Sequence, residues 1–434
     1  AMAQQRVPGE PAMFTTPKLE LLTGKAPVTA SELEEFLVTR GHCQLRDARI
    51  LKAAAQTCED LGVLLPFIWN EARRFDSIFH KPIPMLSVDS MGEDRVQKFT
   101  ARQCLCILAN GFFCTFPRVS SNCTSYEDPS LPSINFDEMY EGPQPAMKQG
   151  KLLMWFQYFR KQRGRIASGD DLAAPVEFRR NLAPCVAWRQ STKPLSPVTM
   201  IKPMTSLDDA KGMLRFDFAN EIVGGGSLAY GCVQEEIMFT ICPELTVSRL
   251  MCPRMQPGES IVIVGTEQFS VPEGYAFGLR YGGPYDDPTP RDEQGRLQSF
   301  VAALDALDLR GQSKVQQYGH DCILRDLQKA LAAADVPDAP VEVATGNWGC
   351  GVFGGDAMLK SLLQWVAIAE AGKNMHYYPF DNTELHDGLP PLAALLVERA
   401  VTVGQLASFV LDVVRPPRDT GTTVFEQLQS HFGL

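Results

Sequence analysis

The sharpest constraint on this chain is a change in the spacing of its apolar residues near residue 186. Beyond that point the short runs VAWRQS (186–191), MLRFDFAN (213–220), SIVIVGT (260–266), VEVAT (341–345) and MHYYPF (375–380) are rich in β-branched and aromatic residues. They alternate with stretches of helical period, of which VQEEIMFTICPELTVSRL (233–250) and DAMLKSLLQWVAIAEAG (356–372) are the clearest. Strands alternating with helices predict an α/β layered sheet. Upstream, SELEEFLVTRG, ARILKAAAQTCEDLGVLLPFIWNEARRF and GEDRVQKFTARQCLCILANGFF carry apolar residues at three- and four-residue spacing, which predicts helices between about 28 and 115. Thr29 and Ser31 are both plausible caps for the first of them. A proline- and serine-rich crossing over 115–136 leads to a further helix that starts near Pro145 and contains KLLMWFQYFRKQ, with Trp155, Phe156 and Phe159 expected in the core. The expected organisation is a mainly helical accessory region over 1–185 and an α/β domain over 186–434.

Composition removes several classes. With 434 residues, 45% hydrophobic and 21% charged, the chain has the balance of a globular protein. No apolar run approaches the roughly 20 residues of a membrane helix, so no membrane partner is expected. The first residues lack a basic segment followed by an apolar one, and no secretory signal is read there. Twelve cysteines are scattered without a CxxC pair, and the six histidines show no HxxxH or HExxH spacing. Free thiols in a reducing compartment are expected, with no metal. A formal charge of −10 argues against a broad basic face and hence against direct DNA binding. A polyanionic ligand would have to be held locally, by backbone amides and helix N-termini.

The chemistry concentrates in residues 212–242, GMLRFDFANEIVGGGSLAYGCVQEEIMFTIC. A strand is followed by Gly224, Gly225 and Gly226, seven further residues, and Gln234-Glu235-Glu236 at a helix start. Glycines at a strand end let backbone amides approach a phosphate. Alone, such a loop is more often merely flexible, and adjacent glutamates at a helix start are as often a solvated face that complements the macrodipole. The combination is far more specific.

This pattern, preceded by Asp217-Phe218-Ala219-Asn220, resembles the signature of eukaryotic-type poly(ADP-ribose) glycohydrolases. Similarity continues through GTEQFSVPEGYA (265–276), ATGNWGCGVFGGD (344–356) and VERAVTVGQL near the C-terminus, and reaches back to FFCTFPR and PSINFDEMYE. The resemblance implies a macrodomain-like mixed sheet flanked by helices, carrying a helical accessory region. It also implies hydrolysis of the ribose–ribose bond of poly(ADP-ribose) on modified proteins, with ADP-ribose as product and no cofactor. In that family the glutamate matching Glu236 is the catalytic acid and base, while Glu235 and Asn220 position the ribose. Asp217 helps to hold the loop, and Gln234 belongs to the signature. Tyr275 matches a tyrosine that closes over the ligand, and Phe380 an aromatic that stacks near adenine. Asn347 and Phe353 fall in the second glycine-rich loop, matched to the diphosphate and distal ribose. The segment Leu207-Asp208-Asp209 is one residue shorter than the family pattern, in which a glutamate contacts adenine, and Asp208 takes that place. A half-buried loop aromatic is the alternative reading of Tyr275, and a strand core residue that of Phe380. A non-catalytic ADP-ribose reader and a hydrolase of mono-ADP-ribosyl bonds are the alternative functions. The resemblance further implies a monomer of the nucleus or cytoplasm that takes part in the DNA damage response.

Overall fold

The computed structural model describes residues 16–39, 45, 48–81, 83–86, 95–117 and 132–434. The middle of the expected crossing, the end of the first expected helix, residues 92–94, Cys43 and Cys123 lie outside the described residues. The chain forms two compact units. A helical unit takes the residues up to Arg179 together with Ile222–Arg254 and Gly265–Leu297, and a sheet unit takes Arg180–Glu221, Met255–Val264 and Gln298–Leu434.

The helical unit contains α1 (Ala30–Thr39), α2 (Arg49–Ala55), α3 (Leu61–Ala72), α4 (Phe75–Ile78), β1 (Val96–Thr100), α5 (Ala101–Phe112), α6 (Asp137–Tyr140) and α7 (Pro145–Ala167). Of the two candidate caps, Thr29 opens α1: its hydroxyl accepts the Glu32 N–H at 3.2 Å, and the Glu32 carboxylate accepts the Thr29 N–H at 3.1 Å. The run 48–75 is not one helix. Thr57 donates its hydroxyl to the Ala54 carbonyl as α2 ends, and the Asp60 carboxylate is drawn to Arg160 of α7 at 2.7 Å. The segment 96–100, expected as helix, is a strand paired antiparallel with 175–179 of β2 (Pro175–Leu182). Apolar residues three apart fit either period over so short a run. The helix proper begins where Thr100 and Gln103 close a reciprocal capping box. Trp155, Phe156 and Phe159 are buried as expected, with Phe159 and Phe156 edge-on to Phe112.

Three later elements complete this unit: α8 (Gln234–Ile241), β6 (Ser270–Glu273) and β7 (Arg280–Pro284), the last two forming an antiparallel hairpin. The helix expected over 233–250 is divided at Pro243. Proline has no N–H to continue the ladder, and the chain proceeds as a 3₁₀ turn over Pro243–Leu250.

The sheet unit is built on β3 (Val198–Met200), β4 (Leu214–Asp217), β5 (Glu259–Val264), β8 (Phe300–Ala303), β9 (Glu342–Gly346) and β10 (Asn374–Tyr378), in the spatial order β5-β8-β4-β9-β10-β3. Only β5, against β8, runs antiparallel among these pairs. Its helices are α9 (His320–Ala334), α10 (Ala357–Glu370), α11 (Thr383–Glu398), α12 (Val403–Ser408), α13 (Pro417–Thr420) and α14 (Val424–Phe432). Every residue of β4 and β5 is buried, as a sheet covered on both faces requires. The run 186–191 is not a strand. Trp188–Gln190 is a 3₁₀ turn, because the amides of Val403 and Gly404 at the start of α12 take the carbonyls of Lys193 and Ser191. Parallel pairing aims β4, β9, β10 and β3 the same way, so the loops after all four share one edge of the sheet. In open α/β sheets that carboxyl edge is where ligands bind.

Candidate active site

In the helical unit the signature forms a closed loop around two carboxylates. Glu235 and Glu236 occupy the first turn of α8 and are 2% and 8% exposed. The Gly224 N–H donates to Glu235 Oε1 at 2.6 Å, the Gly226 N–H to Glu236 Oε1 at 3.1 Å, and the Val233 N–H to Glu236 Oε2 at 3.0 Å. The glycines are a steric necessity here. Gly225 has φ +41°, and a Cβ on it would lie 2.6 Å from Glu236 Oε1 and 2.7 Å from Glu235 Oε2. Gln234 begins α8 half-buried. Tyr275 stands at the tip of the β6–β7 hairpin, 46% exposed.

Two members of this loop escaped the sequence reading. A Cβ on Gly231 would lie 2.7 Å from Glu236 Cδ, so bare backbone rests against the carboxyl. Arg249, buried after α8, donates from Nη1 to the Gly225 carbonyl at 2.9 Å and the Val223 carbonyl at 3.3 Å, and from Nε to the Ser133 carbonyl at 2.9 Å. Burial pulls its guanidinium down to about 10, against the attraction of Glu235, Glu138 and Glu236. A single arginine after a proline carries no motif, and only the fold shows what it touches. The Ser133 contact brings the PSINF segment to the same loop.

In the sheet unit the remaining candidates collect at the shared carboxyl edge. Asp217 ends β4 fully buried, and Asn220 follows half-buried. Asn347, just beyond β9, donates to the Pro379 carbonyl at 2.8 Å and accepts from the Tyr377 hydroxyl at 3.1 Å. It therefore ties the β9 loop to the chain entering Phe380. Phe380 is 40% exposed at φ +55°, and its carbonyl accepts the Met204 N–H at 2.9 Å. That bond brings the 201–210 segment, with Asp208, beside the Phe380 turn. Asp208 sits in a 3₁₀ turn, its own N–H capped by the Ser206 hydroxyl at 3.2 Å, and burial pushes its carboxyl up. Phe353 lies in the second glycine loop with the Arg310 guanidinium 5.1 Å from its ring centre.

Carboxylates of the chain itself also bond at the starts of α10 and α8. Asp356 caps α10 by accepting the Leu359 N–H at 2.9 Å, as Glu236 takes the Val233 N–H ahead of α8.

Two family descriptions match the chain: the helical domain of poly(ADP-ribose) glycohydrolase over residues 55–180, and its macro-domain fold over residues 185–387. Probable poly(ADP-ribose) glycohydrolase 2 of Arabidopsis thaliana is 31% identical over 356 residues, covering 69% of this chain and 66% of the relative. Poly(ADP-ribose) glycohydrolase 1 of the same plant is 30% identical over 382 residues, covering 70% and 67%. Poly(ADP-ribose) glycohydrolase 1 of Caenorhabditis elegans is 32% identical over 238 residues, covering 52% and 30%. The chain thus spans about two thirds of the plant relatives' length and less than a third of the worm relative's. By these matches, and by a mixed sheet and helical unit of the matching kinds, the chain belongs to the poly(ADP-ribose) glycohydrolase family.

Proposed function

We propose that this protein hydrolyses poly(ADP-ribose) by cleaving its ribose–ribose bond and releasing ADP-ribose, with Glu236 as general acid and then general base. The observation that carries this reading is the buried carboxylate of Glu236, gripped by two loop amides inside a loop where only glycine leaves space for it. Cleavage needs a proton for the departing hydroxyl oxygen and a stabilised sugar cation. Glu236 in its acid form gives the proton as the glycosidic C–O bond breaks. A water then adds to the cation and returns its proton to Glu236, restoring the starting state. Glu235, fixed by the Gly224 amide, is assigned to the ribose hydroxyls, the role that the family resemblance gives to Asn220 as well, and Asp217 ends the strand ahead of the loop. Gly224, Gly225, Gly226 and Gln234 shape the pocket for the sugar. The diphosphate is assigned to glycine-loop amides and Phe353. The adenine is assigned to Asp208 and Phe380, with Asn347 holding the Phe380 turn and Tyr275 closing over the ligand. No step calls for a metal or redox group.

A pure reader of ADP-ribose would need the glycines and aromatics but no buried pair of glutamates at the loop. Incubation with polymer of defined length, followed by separation of the products, distinguishes the two. Release of ADP-ribose is expected, and recovery of intact polymer would leave the reader or a hydrolase of mono-ADP-ribosyl bonds. Substrate is taken to be polymer on modified proteins, handled by a monomer in the nucleus or cytoplasm as part of the DNA damage response. Ten described cysteines are free thiols, which suits a reducing compartment. Light scattering should give one species near 48.0 kDa, and imaging of the tagged protein before and after strand breakage tests the compartment.

A further inference from the structure

A fully buried cation of the helical unit takes no part in the proposed chemistry. Lys151 of α7 has no solvent exposure, yet its ammonium reaches the loop between the triple glycine and Gln234. It donates to the Ser227 carbonyl at 3.0 Å, to the Ala229 carbonyl at 3.3 Å and to the Gly231 carbonyl. An ammonium has three N–H groups, so its donor capacity is filled by three alternate carbonyls of one loop. Such a group is costly to bury, and a hydrophobic residue of the same length would fill the space without that cost. Its neighbour Gly150 is seated against β7, where a Cβ would lie 3.1 Å from both the Arg280 Cα and the Leu279 carbonyl oxygen. One turn of α7 therefore bears on the loop that holds Glu236 and on the hairpin that carries Tyr275.

We propose that Lys151 is a positioning residue for the reaction, a pin that draws the loop carbonyls to one point and so presses the Gly231 backbone against the Glu236 carboxyl. This rests on the reading of Glu236 as the acid and base. Glu236 is gripped at the two ends of the loop, by the amides of Gly226 and Val233, and Lys151 holds the stretch between them. Releasing the middle lets the carboxyl drift, and displacements of about 1 Å in a reacting group cost roughly 10²-fold in rate.

The pin also has a protonation state. Glu236, Cys232, Lys148 and Arg249 face the Lys151 ammonium, and burial, the largest influence, lowers it to about 8 against the opposing pull of Glu236. Lys151 is thus charged at neutral pH and loses its proton, with one of its three donors, as the pH rises through that value. Turnover should fall on the alkaline side while the fold remains intact.

The test uses the full chain as wild type, Lys151→Met and Lys151→Arg. We expect Lys151→Met to lower kcat on polymer at least tenfold while the calorimetric Kd for ADP-ribose changes less than threefold. A residue that merely stabilises the fold would shift melting and leave this split absent. We expect wild-type kcat to decline between pH 7 and 9.5, and Lys151→Arg, whose guanidinium keeps its proton, to move that decline upward. Wild-type kcat that is flat across this range overturns the proposal whatever the variants do. So does an unshifted decline in Lys151→Arg, or a folded Lys151→Met that turns over polymer at the wild-type rate. If wild type itself releases no ADP-ribose, it is the assignment of the activity that fails.

Discussion

Phe380 holds a backbone conformation that a bulky side chain seldom adopts. A phenylalanine at φ +55° and 40% exposed is strained by its backbone and gains little from burial. Its turn is held on both sides, by the Met204 N–H on its carbonyl and by Asn347 on the Pro379 carbonyl. A ring offered to solvent on a fixed backbone suits stacking on a base. Replacing it with alanine should weaken ADP-ribose binding by about 1 to 3 kcal/mol, read by calorimetry. An unchanged Kd in a folded Phe380→Ala protein would remove it from the adenine site. At this scale the sequence was most legible where a pattern repeats a chemical need, as in the triple glycine followed by Glu235 and Glu236. It was silent on Gly231 and Arg249, each isolated in sequence and given a role only by what the fold brings against it.

At the scale of elements, the 3₁₀ turn after α8 carries a second buried glutamate that belongs to no motif. Glu244 lines a cavity of about 490 Å³ in the helical unit with Arg165, Glu267 and Arg291. Glu267 is paired with Arg165 at 2.6 Å, Lys161 at 3.1 Å and Arg291 at 3.4 Å, whereas Glu244 meets the Gln162 amide at 3.4 Å. Burial, reinforced by the negative charge of Glu267, pushes the Glu244 carboxyl up to about 8. The folded protein therefore holds a proton there that the unfolded chain releases near pH 4.5. The stability this contributes is complete below pH 4.5 and is lost as the pH rises through about 8. Urea unfolding at pH 5 and pH 8 should show wild type losing on the order of 3 kcal/mol more than Glu244→Gln across that interval. Equal losses in the two proteins would mean that Glu244 is ionised in the fold. Element boundaries were where sequence reading failed. Val96 and Phe99 fit a helix or a strand, and the pairing with β2 decides. The run containing Trp188 has strand composition, but the amides of α12 take its carbonyls. Such outcomes depend on partners far along the chain, which no local spacing reports.

For the whole molecule, an acidic chain that handles a polyanion must separate recognition from net charge. A formal charge of −10 supplies no net attraction for a polyanion, and on the proposed reading the phosphates depend on oriented amides and nearby dipoles. Affinity for ADP-ribose should then fall only mildly with ionic strength, and a steep loss like that of proteins that neutralise many phosphates would contradict this. The change of apolar period predicts helices before residue 186 and alternating strands and helices after it, and the macrodomain-like sheet was implied by the family resemblance. Local patterns gave no sign that Ile222–Arg254 and Gly265–Leu297 pack with the helical unit, because that association is settled by contacts such as Lys151 with the loop carbonyls. The account stands most directly on polymer turnover by Glu236→Gln and Glu235→Gln, measured beside their calorimetric affinities for ADP-ribose. Adjacent residues on a helix point about 100° apart, so the two glutamates cannot face the departing oxygen equally. Glu236→Gln is expected to keep the parental affinity and to lose at least 10²- to 10⁴-fold in turnover, whereas Glu235→Gln should lose part of its activity through weaker binding. Hydrolysis by Glu236→Gln at close to the parental rate would contradict the assignment.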